Sequence, residues 1–259
     1  MRRILFEIPL PFEIPHLGRY LPIHSFGVMA ALGFLAALWV ALDRGRREKL
    51  KETVIWDIWT VSLIAGLAGA RLVYVIEQWG ALFAGNFWEV FKVWHGGLVW
   101  YGGVAGAFLW GALYLRARRQ LLLPVADAVA PAAMIGLAFG RVGCFLNGCC
   151  GGKPSSLPWA VIFPQSGVPV HPTQLYSSAT ALIIFLLLTA YYPRRKRPGE
   201  VFFLMLILYG AARFLIEGLR TNAEVWMGLS LAQVMSLVMV PVALGFFFQS
   251  RMQPARATV

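Results

Sequence analysis

Three arginines lie within or at the ends of long apolar runs, where a charge persists only with a partner or a purpose. At membrane depth such a side chain costs about 2.5–3.5 kcal/mol on insertion scales, so it faces a bundle interior, a cavity or a counter-charge. Arg141 sits in Gly140-Arg141-Val142-Gly143, and Arg213 ends Tyr209-Gly210-Ala211-Ala212-Arg213. Glycines on either side let a backbone or a ligand approach closely. Two guanidiniums facing one cavity would clamp a phosphate in bidentate fashion. The alternative is that each pairs with a carboxylate, such as Glu217 four residues beyond Arg213. Arg71 opens Arg71-Leu72-Val73-Tyr74 beside Gly66 and Gly69; snorkelling to the surface and a catalytic role are both open for it.

The run Gly140–Gly152 reads GRVGCFLNGCCGG and places Cys144, Cys149 and Cys150 within seven residues. Its glycines suit an irregular turn lining a water-filled cavity. The cysteine spacing lacks a paired C-x₂-C pattern and no histidine follows closely, which argues against zinc. Oxidation, small-residue packing and a thiol nucleophile remain as readings. Further on, His171-Pro172-Thr173-Gln174-Leu175-Tyr176 gathers polar groups where a loop re-enters an apolar run, with structural and functional readings both open for the histidine. Tyr101 stands between Gly96-Gly97 and Gly102-Gly103, with Trp94 and Trp100 as candidate interfacial anchors.

The elements that must position these residues follow from composition. Hydrophobic residues are 59% of the 259 and charged residues 14%, against about 25% charged in a soluble domain. So few charges cannot cover that much apolar surface in water, so the chain is read as an integral membrane protein. A net charge of +11 could suggest nucleic-acid binding, but the basic residues form short clusters between apolar runs and no interleaved basic face. Anionic head groups are the expected contact. A ruler of about 20 apolar residues gives seven spans: Ser25–Leu42, Val54–Ile76, Leu98–Leu115, Leu121–Phe139, Thr173–Tyr192, Val201–Ile216 and Leu229–Phe248. Pro124 and Pro131 predict a kinked or partly buried fourth helix.

Fourteen of the 23 basic residues follow the first, third, fifth and seventh spans, in clusters such as Arg44–Lys51 and Arg194–Arg197. Six lie on the opposite side, so the amino terminus is expected outside and the carboxyl terminus in the cytoplasm. Residues 1–24 lack the uninterrupted apolar core of a cleavable leader and read as an external arm. Residues 25–249 form the transmembrane domain and 250–259 a cytoplasmic tail.

Taken in order, these segments resemble the prolipoprotein diacylglyceryl transferase family. The resemblance runs from Ile23-His24-Ser25-Phe26-Gly27 and Gly69–Tyr74, through Gly140–Gly143 with Asn147-Gly148, to His171–Tyr176. It continues through Tyr209–Arg213 with Glu217, and Ser230 with Gln233. It implies an all-α polytopic protein of seven transmembrane helices in a bacterial cytoplasmic membrane, working at the outer leaflet. The implied reaction moves the diacylglyceryl group of phosphatidylglycerol to the lipobox cysteine of a prolipoprotein signal peptide, releasing glycerol 1-phosphate and needing no metal or cofactor.

Carried over, the resemblance implies a catalytic set of Arg141, Arg213, Tyr101 and Tyr209. Asn147, Glu217, His171, Gln174 and Arg71 join the arginines in substrate binding. The family usually has histidine where this chain has Tyr101, asparagine at Cys144 and glutamate at Cys149. A neutral tyrosine, with a reference pKa of about 10, is a poor base unless a cation lowers it. The competing readings are an altered relative that binds phospholipid or modifies another acceptor, and a transporter, which the absence of an evident inverted repeat disfavours.

Overall fold

The computed structural model of the chain describes residues 3–14, 18–83, 85, 87–92 and 96–252. All seven apolar runs fold as helices: α1 (Ser25–Arg47), α2 (Glu52–Glu77), α3 (Trp100–Ala117), α4 (Leu122–Asn147), α5 (Thr173–Tyr191), α6 (Glu200–Glu217) and α7 (Leu231–Met252). Five of them, α1, α2, α4, α5 and α7, are long and apolar enough to cross a membrane. The other two are 18 residues each; α6 carries Glu200, Arg213 and Glu217, and α3 is diluted by four glycines. Large apolar side chains point outward along the helices, among them Leu182, Ile183 and Leu186 on α5 and Leu237, Val238 and Val242 on α7. Water would not tolerate that surface; lipid does.

Among the described residues, an antiparallel ladder of β1 (Ile4–Ile14) with β2 (Gly18–His24) precedes α1, and two lie between helices: β3 (Val161–Ile162) with β4 (Pro169–Val170), and β5 (Glu224–Trp226) with β6 (Leu229–Ser230). The first was not foreseen in the amino-terminal arm, where Pro9 and Pro11 in β1 and Pro22 in β2 remove N–H donors. A two-stranded ladder is all edge, where missing N–H donors are tolerated.

The chain forms two compact units. In the unit of residues 42–125, α2 packs on α3 through small residues. A Cβ on Gly69 would sit 2.4 Å from the Gly102 carbonyl oxygen, and one on Gly106 would sit 2.4 Å from that of Ala65. Backbones this close gain dispersion contacts along their whole length.

In the unit of residues 1–41 and 126–259, Ala130 and Met134 of α4 meet Ile184 and Leu188 of α5 and Val201 and Met205 of α6 in a buried core. Asp127, fully buried on α4, accepts hydrogen bonds from the backbone of Gly199 and Phe202 and from Arg195 Nη1, at 2.6–2.8 Å. The start of α6 is thus capped by a carboxylate from another helix. Arg195 is part of this buried pair and does not stand free in its basic cluster.

The fourth helix corrects its predicted end. It runs eight residues past Phe139, so Gly140–Asn147 is helical and the irregular segment begins only at Gly148. The reason is packing: a Cβ on Gly143 would meet Met29 and Phe26 of α1 at 3.1–3.2 Å, so the glycine marks a close helix crossing. The expected partial burial holds, since α4 is the most buried of the five candidate spans at 44%.

Candidate active site

At one end of the larger unit four helix ends meet: the last turns of α4 and α6 and the first turns of α5 and α7. Backbone and side chain hold them together. The Lys153 N–H donates to the Leu219 carbonyl at 2.8 Å and its Nζ to that of Gly218 at 2.9 Å. Gln174, fully buried on α5, donates through Nε2 to the Cys149 carbonyl at 2.6 Å, and Thr173 Oγ1 to that of Cys150 at 3.0 Å. Ser230 caps α7, its Oγ accepting from the Gln233 N–H while Gln233 Oε1 accepts from its own N–H. This is a capping box written in the sequence as S-x-x-Q.

A narrow cleft opens at this end, lined by Leu137 and Arg141 of α4, Ser177 and Thr180 of α5, and Tyr209, Arg213 and Ile216 of α6. Leu137 and Arg141, like Tyr209 and Arg213, are four residues apart and so share a helix face. The two arginines singled out by sequence therefore line one hollow. Its free space of about 10 Å³ suits roughly one water, so a larger anion enters by pushing side chains aside.

The electrostatics are lopsided. Arg213 Nη2 pairs with Glu217 Oε2 at 2.7 Å, as the spacing allowed, but its Nη1 is buried without a partner. Among the described residues Arg141 has no hydrogen bond or ion pair. Glu217 is committed elsewhere: Oε1 accepts from Asn222 and from Ser230 Oγ, and Oε2 also faces Arg220 Nε at 3.7 Å. A buried donor without an acceptor is costly, and an anion in the cleft would satisfy it. The arrangement can hold a phosphate and stabilise charge appearing on it.

The other sequence candidates fall in several places. His171 Nδ1 lies 3.4 Å from Tyr176 Oη, which accepts from Trp159 Nε1 at 2.7 Å, and its carbonyl accepts from the Gly152 N–H. Asn147 ends α4 and receives Arg3 Nε on its carbonyl at 3.2 Å. Tyr101 stands on the first turn of α3 in the other unit. Arg71, in that same unit, is 7% exposed and does not snorkel. Its guanidinium donates to the carbonyls of Glu89, Val90, Lys92, Gly96 and Gly97, and stacks on Tyr74 and Phe83. It organises the loop before α3 and has no donor left for a ligand.

The three cysteines, 144, 149 and 150, are free of disulfides, and their sulfurs lie within 4.8 Å of one another. Cys149 and Cys144 are joined by the Cys149 N–H to Cys144 carbonyl bond at 3.2 Å, an extra turn of backbone that linear spacing does not reveal. A hydrogen bond from Cys144 holds the Cys150 thiol below the usual thiol range, with help from Cys149 and the Arg220 charge against the opposing effect of burial. Thr173, Arg220 and Asn222 were not foreseen; the first falls inside a motif already noticed, while the others act only through contacts distant in sequence.

Comparison with known proteins adds a family. A family model described as prolipoprotein diacylglyceryl transferase matches residues 13–249. The chain is 35% identical over 248 residues to the phosphatidylglycerol–prolipoprotein diacylglyceryl transferase of Bordetella parapertussis, covering 91% of this chain and 94% of the relative. The protein of that name from Thermotoga maritima is 34% identical, with 97% and 89% covered. That from Finegoldia magna is 35% identical, with 83% and 86% covered.

Proposed function

The chain belongs to the prolipoprotein diacylglyceryl transferase family, and on that premise we propose that it transfers the diacylglyceryl group of phosphatidylglycerol to the lipobox cysteine thiol of a prolipoprotein signal peptide. The observation that carries the reading is that Arg141, with no ion pair among the described residues, and the unpartnered Nη1 of Arg213 line one cleft. The phosphodiester lies between them. The acceptor sulfur, as thiolate, attacks the diacylglyceryl carbon; a C–S bond forms, the C–O bond breaks, and the electron pair leaves with glycerol 1-phosphate. That leaving group gains a negative charge as the bond breaks, and the two guanidiniums beside it stabilise that charge. Tyr209 Oη supplies a polar contact on the same wall. Glu217 holds Arg213 in place, and His171, Gln174 and Asn147 support the loop and helix end beside the cleft.

The setting is proposed with it: seven helices spanning a bacterial cytoplasmic membrane, amino terminus outside, tail inside, and the cleft toward the outer leaflet. The distribution of basic residues supports that orientation. Purified protein given radiolabelled phosphatidylglycerol and a lipobox peptide is expected to form a labelled thioether peptide. Absence of the product from folded, lipid-binding protein contradicts the reading. A second reading, a phospholipid-binding relative without turnover, is favoured by one feature: among the described residues the cleft lining includes no histidine or carboxylate. If Tyr101→His creates activity that the natural chain lacks, the second reading stands.

A further inference from the structure

A thiol must become a thiolate before it can act as the nucleophile. The cleft lining offers two guanidiniums, the Tyr209 phenol and two alcohols, all poor proton acceptors. Glu217 is engaged by Arg213, Arg220, Asn222 and Ser230. At the carboxyl end of α4, however, three thiols converge. Leu137, Arg141 and Cys144 follow at i, i+4 and i+7 and so share the helix face that lines the cleft. Cys144 is only about 4.5 Å of helix rise beyond Arg141.

The three sulfurs lie within 4.8 Å of one another. A tetrahedral zinc ion with Zn–S bonds of about 2.3 Å needs its thiolates about 3.8 Å apart, a shift of roughly 0.6 Å per sulfur. The backbone that carries them is pinned. Gln174 holds the Cys149 carbonyl, while Thr173 and Arg220 hold that of Cys150. Cys150 itself adopts φ +65°, a left-handed conformation that is strained for a residue with a Cβ. Three thiolates without histidine form a soft donor set. Three protein ligands with one open position is the arrangement of a zinc site that acts on a substrate, since structural sites close with four.

We propose that Cys144, Cys149 and Cys150 bind one Zn²⁺ and that its fourth position takes the acceptor's cysteine thiol, beside the phosphate held by Arg141 and Arg213. On coordination the acceptor S–H loses its proton to solvent, since a metal-bound thiol is deprotonated. The zinc-held sulfur then forms the C–S bond as the C–O bond breaks, and the zinc keeps its three cysteines. This rests on the transfer reading above and deepens it.

Cobalt(II) serves as the visible probe on the full-length protein in detergent, under reducing conditions. One equivalent is expected to give thiolate-to-cobalt charge-transfer bands and tetrahedral visible bands, displaced stoichiometrically by Zn²⁺. Adding a lipobox peptide shifts the visible bands, while its serine analogue does not. Chelation is expected to lower transfer by about a hundredfold, the scale of losing an activating group, with recovery on adding Zn²⁺. No cobalt spectrum from the wild-type protein, a preference for copper(I) with cobalt and zinc refused, or spectra indifferent to the cysteine peptide overturns the proposal. So does full transfer by Cys144→Ser/Cys149→Ser/Cys150→Ser, which leaves the transfer reading intact. A peptide-sensitive cobalt spectrum with no transfer at all supports the metal site and sinks the transfer reading instead. Because the spectra use the wild-type chain, they decide the matter even if the triple variant fails to fold.

Discussion

Glu217 shows how much of the site rests on single residues. Its buried carboxylate faces two guanidiniums, one of which, Arg213, lines the cleft. Glu217→Gln keeps an oxygen for Asn222 and Ser230 but leaves two cations without their counter-charge. Breaking a buried pair in this way costs about 3–5 kcal/mol, so a clear fall in the thermal unfolding temperature in detergent is expected; an unchanged midpoint contradicts the pairing. Arg141 and Arg213 were legible in the sequence because a charge within or at the end of an apolar run has few explanations. Arg71 raised the same suspicion and resolved differently, since its acceptors are loop carbonyls whose position no spacing rule gives. The cysteines are a different case: linear spacing argued against zinc, and the turn after α4 brings the three sulfurs within 4.8 Å of one another.

At the scale of elements, glycine carries the packing. Gly106→Val puts methyl groups where the Ala65 carbonyl oxygen already lies 2.4 Å from a Cβ, and a backbone oxygen cannot step aside. Overpacking of this kind costs about 1–3 kcal/mol, and the expected outcome is a lower unfolding temperature for Gly106→Val with little change for Gly80→Val, where a Cβ meets nothing within 4 Å. Equal effects at both positions contradict the close α2–α3 crossing. Helix existence was readable from apolar length alone; helix ends were less so. The fourth helix was cut short at Phe139 because glycines near a helix end resemble a stop signal, whereas Gly143 here admits α1. The β1–β2 hairpin was hidden by prolines, which a two-stranded ladder accommodates.

For the whole molecule, composition alone identified lipid as the solvent, and five helices meet the length and hydropathy needed to cross it. The proposed orientation makes a direct prediction. A cysteine placed at Lys49, in a chain otherwise lacking cysteines, reacts with a membrane-impermeant maleimide only after cells are opened, while one placed at Ser156 reacts in spheroplasts. The reverse pattern contradicts the assigned sidedness. The central claim is that Arg141 and Arg213 grip one phosphate together, and a double-mutant cycle on the transfer rate tests it most directly. Each of Arg141→Ala and Arg213→Lys is expected to lower transfer about a hundredfold, and the pair to lose little beyond the worse single variant, because groups acting as a unit are not additive. Wild-type transfer by Arg141→Ala, or losses that multiply in the double variant, would contradict a shared phosphate.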